Sequence, residues 1–405
     1  MFESISMAPP DAIFGLIEAF RNDPHPEKIN LSAGVYADEH GRTPVLAVVK
    51  EAERRIRETE QSKSYLPIHG SAEYAGAIQR LLFGEDHEII ANKRAATAQA
   101  PGGTGALRVA GDFLKKHFGD TTIWFSDPTW VNHFQVYEAV GLAIATYPYF
   151  DAERNALAFD AMIAGLEKVR PGDVVLLHGR CHNPSGVDPT PAQWEKLGDL
   201  LAARQALPLV DFAYQGFATG VEEDAVGVRI LCGKVPELVI CSSYSKNFGL
   251  YNERVGALTV VAGSGEAAQA VLSQVKKCAR ANYSNPPAHG AAIITTILND
   301  AELRQGWEEE LRKMRERIHD MRKLLAAGLD RRGMKLSPAG NEFIVHQNGM
   351  FSFSGLNKAQ VEKLREKYSI YIVGSGRINV GGITPGNIDR LCDAIASVVV
   401  AEIPA

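Results

Sequence analysis

The chain has 405 residues, with 43 Lys plus Arg against 48 Asp plus Glu and a formal net charge of -5. That length allows two domains with sizeable cores, and mild acidity without any Lys/Arg-rich run argues against a nucleic-acid partner or an anionic membrane surface. Five scattered cysteines (Cys181, Cys232, Cys241, Cys278, Cys392) read as free thiols of a reducing compartment, no apolar stretch approaches transmembrane length, and Met1-Phe2-Glu3-Ser4 lacks the basic start of a signal peptide, so a soluble, cytoplasmic protein is expected.

From about residue 43 to 305, apolar strands alternate with amphipathic helices, the pattern of a mainly parallel sheet covered on both faces. Strands are expected at 122–126, 174–178, 209–212, 238–242 and 257–261. The first motif is Pro101-Gly102-Gly103-Thr104-Gly105-Ala106-Leu107-Arg108, which opens a helical pattern through Leu107, Ala110, Phe113 and Leu114 and would aim backbone N–H groups at an anion. It is not the dinucleotide fingerprint G-x-G-x-x-G, because Arg108 stands where the third glycine belongs, and a NAD-dependent oxidoreductase fails on that spacing. After the strand around Trp124 comes Ser126-Asp127-Pro128-Thr129-Trp130, whose indole suits stacking on a flat ring.

After Val174-Val175-Leu176-Leu177 comes His182-Asn183-Pro184-Ser185-Gly186, which offers Asn183 as a neutral donor; alone it is an ordinary turn. His178, Cys181 and His182 cluster nearby, but no second ligand pair follows at zinc spacing, so no metal is expected. Asp211-Phe212-Ala213-Tyr214 ends another apolar strand, and a carboxylate there needs a cationic partner because an unpaired buried charge is costly. The next strand runs into Ser243-Tyr244-Ser245-Lys246-Asn247, with Arg254 further on. An isolated lysine is more often an exposed loop residue, but one at the end of a buried strand loses its proton readily and forms a Schiff base with an aldehyde. The two serines and the arginine suit a phosphate, and the aldehyde cofactor carrying a phosphate is pyridoxal 5′-phosphate (PLP). Further on lie Arg280-Ala281-Asn282-Tyr283-Ser284-Asn285-Pro286-Pro287, a long charged helix at about 307–329, a short strand at 350–353 and Ser375-Gly376-Arg377.

These seven motifs, in this order, resemble the aspartate and aromatic aminotransferases of PLP fold type I, subgroup Iα, over essentially the whole chain. The resemblance implies an α/β fold with a seven-stranded, mainly parallel sheet between helices in a large PLP-binding domain, residues 43–305, and a smaller α/β domain of residues 1–42 with 306–405. It implies a homodimer with active sites shared between subunits, and small amino-acid and 2-oxo-acid substrates. It gives Lys246 the Schiff-base and proton-shuttle role, Asp211 the pyridine nitrogen, and Tyr214 and Asn183 the ring hydroxyl oxygen. Trp130 matches the stacking ring, while Gly103, Thr104, Ser243, Ser245 and Arg254 match the phosphate cup, completed by Tyr65 from the other subunit. Arg377 matches the grip on the substrate α-carboxylate, beside a backbone contact at Gly34, and Arg280, again from the other subunit, matches the ligand of a distal carboxylate. His133 and His178 match positions behind Asp211 that tune its hydrogen bonding.

Two guanidinium groups at opposite ends of one pocket select a dicarboxylate, since each holds a carboxylate by paired hydrogen bonds. Aspartate, glutamate and their keto acids are expected, although relatives with the same arginine also take aromatic amino acids. Three positions depart from a strict aspartate enzyme: Ala37 and Ser64 are small, and Arg180 replaces a usual cysteine beside the Asn183 loop. Arg180 reads equally as positive potential near the cofactor or as a surface charge. The leading expectation is a ping-pong aminotransferase using 2-oxoglutarate. A PLP-dependent lyase or aspartate β-decarboxylase on the same fold is the alternative, and a non-catalytic regulator is disfavoured because the lysine is present and no DNA-binding domain is seen.

Overall fold

Seven strands make one sheet in the computed structural model, which describes residues 1–8, 11 and 13–400. Across the sheet their order is Ala95–Pro101, Val255–Val261, Leu238–Ser243, Leu207–Phe212, Val174–His178, Thr122–Asp127 and Ala143–Pro148. All neighbours are parallel except Val255–Val261, which runs antiparallel to both of its partners. Val174–His178 and Leu238–Ser243 are buried along their whole length, which is why they read as continuous apolar runs rather than alternating ones.

The reversed strand brings chemistry from two directions to one edge of the sheet. Gly256 pairs with Ser243 and Val255 with Pro101, so the chain entering this strand at Arg254 lies beside the carboxyl ends of its neighbours. His178 is in register with Asp211. Ligand sites of open α/β sheets form at this edge.

The five expected strands are present, with ends shifted by up to two residues. Ala95–Pro101 and Ala143–Pro148 were not expected. The former is built of alanine, threonine and glutamine, small enough for its neighbours to close over it, with the Thr97 and Thr259 hydroxyls 2.9 Å apart across the strands. The latter is a partly solvated edge strand.

The charged helix runs Ala301–Asp330, longer than its apolar periodicity indicated, because the Asp300 carboxylate caps its start through the N–H groups of Glu302 and Leu303. It is pinned to the sheet domain by Trp307, whose ring stacks on Phe248 at 4.4 Å and whose indole N–H donates to the Asn247 carbonyl at 2.7 Å. Beyond it, Phe351–Phe353 pairs antiparallel with Arg377–Asn379, and Ile370–Tyr371 pairs with Ile29–Asn30 from the other end of the chain. All five cysteines are free and buried, and among the described residues no helix is long and apolar enough to cross a membrane.

Candidate functional site

Lys246 lies in a turn three residues beyond the strand Leu238–Ser243, partly buried, with its Nζ 5.1 Å from the centre of the Tyr214 ring. Among the described residues no carboxylate lies within ion-pair distance of it. Loss of hydration is the main cause that brings its pKa down to about 8; the Asp211 charge opposes this, and those of Arg254 and Arg377 add to it. Tyr214 is buried and its phenol is pushed well above its ordinary pKa, so it remains a hydrogen-bond donor at any working pH.

Asp211 ends its strand buried and accepts a hydrogen bond from His133 Nε2 at 3.0 Å, while His133 Nδ1 is 2.8 Å from the Thr129 hydroxyl. Burial pushes the Asp211 pKa up, but the His133 hydrogen bond and the surrounding charges overcome it and hold the carboxyl below its ordinary value. His178 lies behind, with neither ring nitrogen hydrogen-bonded, and burial lowers its pKa to about 3, so it is neutral. His182 is fixed between the Ser126 and Ser185 hydroxyls and stacks on Tyr149 at 3.9 Å. His133, His178 and Asp211 hold ligand atoms within 4.8 Å of one another. Both ring nitrogens of His133, however, are already engaged, Nε2 by Asp211 at 3.0 Å and Nδ1 by the Thr129 hydroxyl at 2.8 Å.

The helix Gly102–His117 starts at the same edge with no side-chain cap, so its first N–H groups, including those of Gly103 and Thr104, have no partner within the helix. Ser243, Ser245 and Arg254 face that end. Arg254 Nη1 donates to the Ser245 hydroxyl at 3.2 Å and to the Tyr251 carbonyl at 2.8 Å, and among the described residues it has no carboxylate partner. The glycines are required for this approach: a Cβ on Gly102, at φ +74°, would stand 2.5 Å from Arg254 Nη2, and one on Gly103 would stand 2.9 Å from Ser243 Cβ.

Arg377 is buried, 4% exposed. Its Nη1 donates to Asn183 Oδ1 at 3.1 Å and its Nη2 to the Ser32 carbonyl at 2.6 Å; Nε has no partner. Burial brings its pKa down to about 10, which leaves it charged at neutral pH with neutral acceptors alone. Its guanidinium lies 4.1 Å over the Phe351 ring, whose edge meets Tyr214 and whose tip would collide with any Cβ on Gly34, at 2.8 Å. Phe351 was expected only as part of a strand, and nothing in its sequence context marks the guanidinium above. Trp130 is partly buried, its ring 5.3 Å from that of His133.

Lys246, Asp211, Tyr214, Asn183, Arg377 and Gly34 thus gather on one side, and Gly103, Thr104, Ser243, Ser245 and Arg254 form the adjoining cradle. Tyr65 and Arg280 stay outside. Tyr65 is 90% exposed, Arg280 is exposed and bonded to Ser284, and among the described residues neither makes a hydrogen bond, ion pair or ring contact with the pocket. Ser64 is exposed as well, and Ala37 is partly buried. Arg180 is neither of the things its sequence context offered: it sits between two buried carboxylates, Asp188 and Asp224.

Residues 26–395 match the family described as aminotransferase class I and II. The chain belongs to that family. This aminotransferase is 53% identical to the aspartate aminotransferase of Escherichia coli over 98% of its own length and 100% of the relative's. It is 46% identical to the aromatic-amino-acid aminotransferase of Pseudomonas aeruginosa, over 98% of each chain. Among solved structures, an aromatic-amino-acid aminotransferase from Burkholderia pseudomallei, covalently bound to pyridoxal phosphate, superposes with a TM-score of 0.95 at 44% identity, covering 98% of this chain and 99% of that one. The cytoplasmic aspartate aminotransferase of Saccharomyces cerevisiae gives 0.96 at 35% identity, covering 100% and 99%. These relatives are all aminotransferases, so the lyase or β-decarboxylase alternative is not favoured.

Proposed function

We propose that this aminotransferase holds PLP between Lys246, Asp211 and the Gly103–Arg254 cradle, and moves the amino group of aspartate or an aromatic amino acid to 2-oxoglutarate in two half-reactions. The observation that carries the reading is a set of charges that, among the described residues, have no ionic partner at one strand edge: the Lys246 amine, and the Arg254 and Arg377 guanidiniums with only neutral acceptors. Arg254, two hydroxyls and a free helix start fit a phosphate, and a buried, ionised Asp211 fits a protonated ring nitrogen.

Bound there, PLP supplies an aldehyde that links to amines and a ring that takes up the electron pair of the α C–H bond. Asp211, its ionised state maintained by His133, would hold a proton on the ring nitrogen. Tyr214 and the Asn183 amide would donate to the ring hydroxyl oxygen, and Trp130 would supply an aromatic face. Arg377 grips the α-carboxylate beside the Gly34 backbone and so turns the α-hydrogen toward Lys246, whose Nζ accepts that proton and later returns one. A neutral amine is required for each of these steps. Uptake of PLP by cofactor-free protein is therefore expected to rise with pH and level off above about 8, not near the ordinary lysine value of 10.5; stopped-flow absorbance across pH measures this.

We also place residues 43–305 in the large PLP-binding domain and residues 1–42 with 306–405 in the smaller one. The pairing of Ile29–Asn30 with Ile370–Tyr371 and the Arg377 bond to Ser32 support that division. Closure of the smaller domain would exclude water from the site. A homodimer is favoured by the exposed Met1, Phe2, Ile5, Met7, Val45 and Tyr65, which a second copy would cover, bringing Tyr65 to the phosphate and Arg280 to a distal carboxylate. Free buried thiols agree with a cytoplasmic location.

The test is a half-reaction. PLP-loaded protein is titrated with aspartate or phenylalanine without keto acid, and the absorbance of the lysine-linked cofactor should give way to that of pyridoxamine phosphate with both. Bound cofactor that stays unconverted with both amino acids would sink the reading, and their relative rates rank the two substrate classes.

A further inference from the structure

The Asn183 loop follows the strand Val174–His178, and the Tyr214 loop follows the adjacent strand Leu207–Phe212. Each is folded around one buried aspartate. Asp188 accepts from the N–H groups of Cys181 and His182, both at 3.0 Å, and from the side-chain amide of Asn348, also at 3.0 Å. Asp224 accepts from the N–H groups of Gly216 at 2.8 Å and of Ala218 and Thr219 at 3.0 Å. The side chains of Asp188 and Asp224 are 2% and 0% exposed, so each ties down three donors in a place where water screens poorly.

One cation serves both. Arg180 Nε lies 3.6 Å from Asp188 Oδ2 and 3.6 Å from Asp224 Oδ1, and Nη2 reaches the Thr219 hydroxyl at 3.5 Å. Cys181, next to Arg180, adopts φ +54°, a region that non-glycine residues seldom occupy, so the chain here is held in place by its contacts. Among the described residues the charged and titratable groups around this cluster are Asp188, Asp224 and Arg322, with the Cys181 thiol and the Tyr149 phenol beside them. Arg322 is taken up by the carbonyls of Ile344, Gly349 and Phe351.

We infer that Arg180 is a positioning residue that clamps the Asn183 and Tyr214 loops together, and so fixes the two donors that converge on the cofactor's ring oxygen. This rests on the proposed PLP reading for its consequence, but not for the clamp itself. Without the guanidinium, two buried carboxylates would face each other across its place, and one would have to take up a proton. A protonated carboxyl is a poorer acceptor for three N–H groups, and the loop around it loosens. Asp224 is the one that yields, because burial already raises its pKa and Arg180 is among the groups holding it down. The Tyr214 loop is therefore the one that moves.

Among the described residues Arg180 makes no hydrogen bond or ion pair with Lys246, and its charge is shared between Asp188 and Asp224. Exchange at the Tyr214 loop separates an effect carried by the loops from one carried through space. Donors to the ring oxygen compete with the proton on the linked nitrogen for that oxygen's charge. Weaker donors let that proton persist to higher pH.

The experiment uses the full chain with PLP, as Arg180→Gln, Arg180→Lys and Asp224→Asn. The pH midpoint of the lysine-linked absorbance should rise by about one unit in Arg180→Gln and move the same way in Asp224→Asn, yet stay close to the parent value in Arg180→Lys, which restores the charge. Amide hydrogen exchange at Gly216, Ala218 and Thr219 should be about tenfold faster or more in Arg180→Gln and Asp224→Asn. An unchanged midpoint in Arg180→Gln, or a shift with unchanged exchange, overturns the inference. Should Arg180→Gln not fold, Asp224→Asn decides it by the same two readings. Absence of any lysine-linked absorbance in the parent would instead overturn the PLP reading, and the exchange measurement would still judge the clamp.

Discussion

Replacing Lys246 with alanine is expected to cut turnover by about 10⁴-fold or more and to leave the fold in place. The rate loss follows from the role proposed for the amine, which takes the α-proton and is already deprotonated at mildly alkaline pH because burial brings its pKa to about 8. The fold survives because Lys246 has no carboxylate partner among the described residues; its nearest recorded contact is the Tyr214 ring face. Removing it breaks no ion pair and relieves a desolvated amine. The phosphate cradle is untouched, so the variant should still bind PLP but lack the absorbance of the lysine-linked form. Steady-state turnover with aspartate and an absorbance scan measure both halves of this. Turnover within tenfold of the parent would remove Lys246 from the proton transfer.

How much of this was legible in the sequence depended on whether a residue's neighbours in the chain are also its neighbours in space. Asp211 and Lys246 each close an apolar, β-rich run, and a charge at the end of a buried strand stands out in one dimension. The strand Ala95–Pro101 was not legible, because its alanine-rich run carries little β signal and its one strand partner, Val255–Val261, is distant in sequence. Arg254 could be tied to a phosphate by composition, but its closeness to Gly102 depends on the antiparallel register of Val255 with Pro101. Phe351 and Arg180 are harder still. A phenylalanine below a guanidinium, or an arginine between two aspartates eight and 44 positions away in the chain, is set by the packing of separate loops.

Replacing Arg280 with alanine should cost aspartate about 10²–10³-fold in kcat/KM, the loss expected when one partner of a desolvated charge pair is removed, and should leave phenylalanine within about threefold. An aromatic ring offers that guanidinium no carboxylate, so the discrimination isolates the distal charge. Within one chain Arg280 is exposed, lies in the last turn of the helix Gly265–Asn282 and, among the described residues, bonds only to nearby Ser284, so the proposed role would need a second copy. Mixing decides this. In dimers of one Arg280→Ala chain with one Lys246→Ala chain, the Lys246→Ala subunit would lend its Arg280 to the pocket that still has Lys246, restoring one intact site per mixed dimer. Random exchange of equal amounts would then recover about a quarter of the parent activity on aspartate, half of the dimers with half of their sites. If Arg280 served its own chain's pocket, the mixture would be no more active than its parts. Equal losses for aspartate and phenylalanine in the single variant would reject the distal-carboxylate role outright, because nothing in a neutral side chain distinguishes a missing guanidinium from a general disturbance of the pocket.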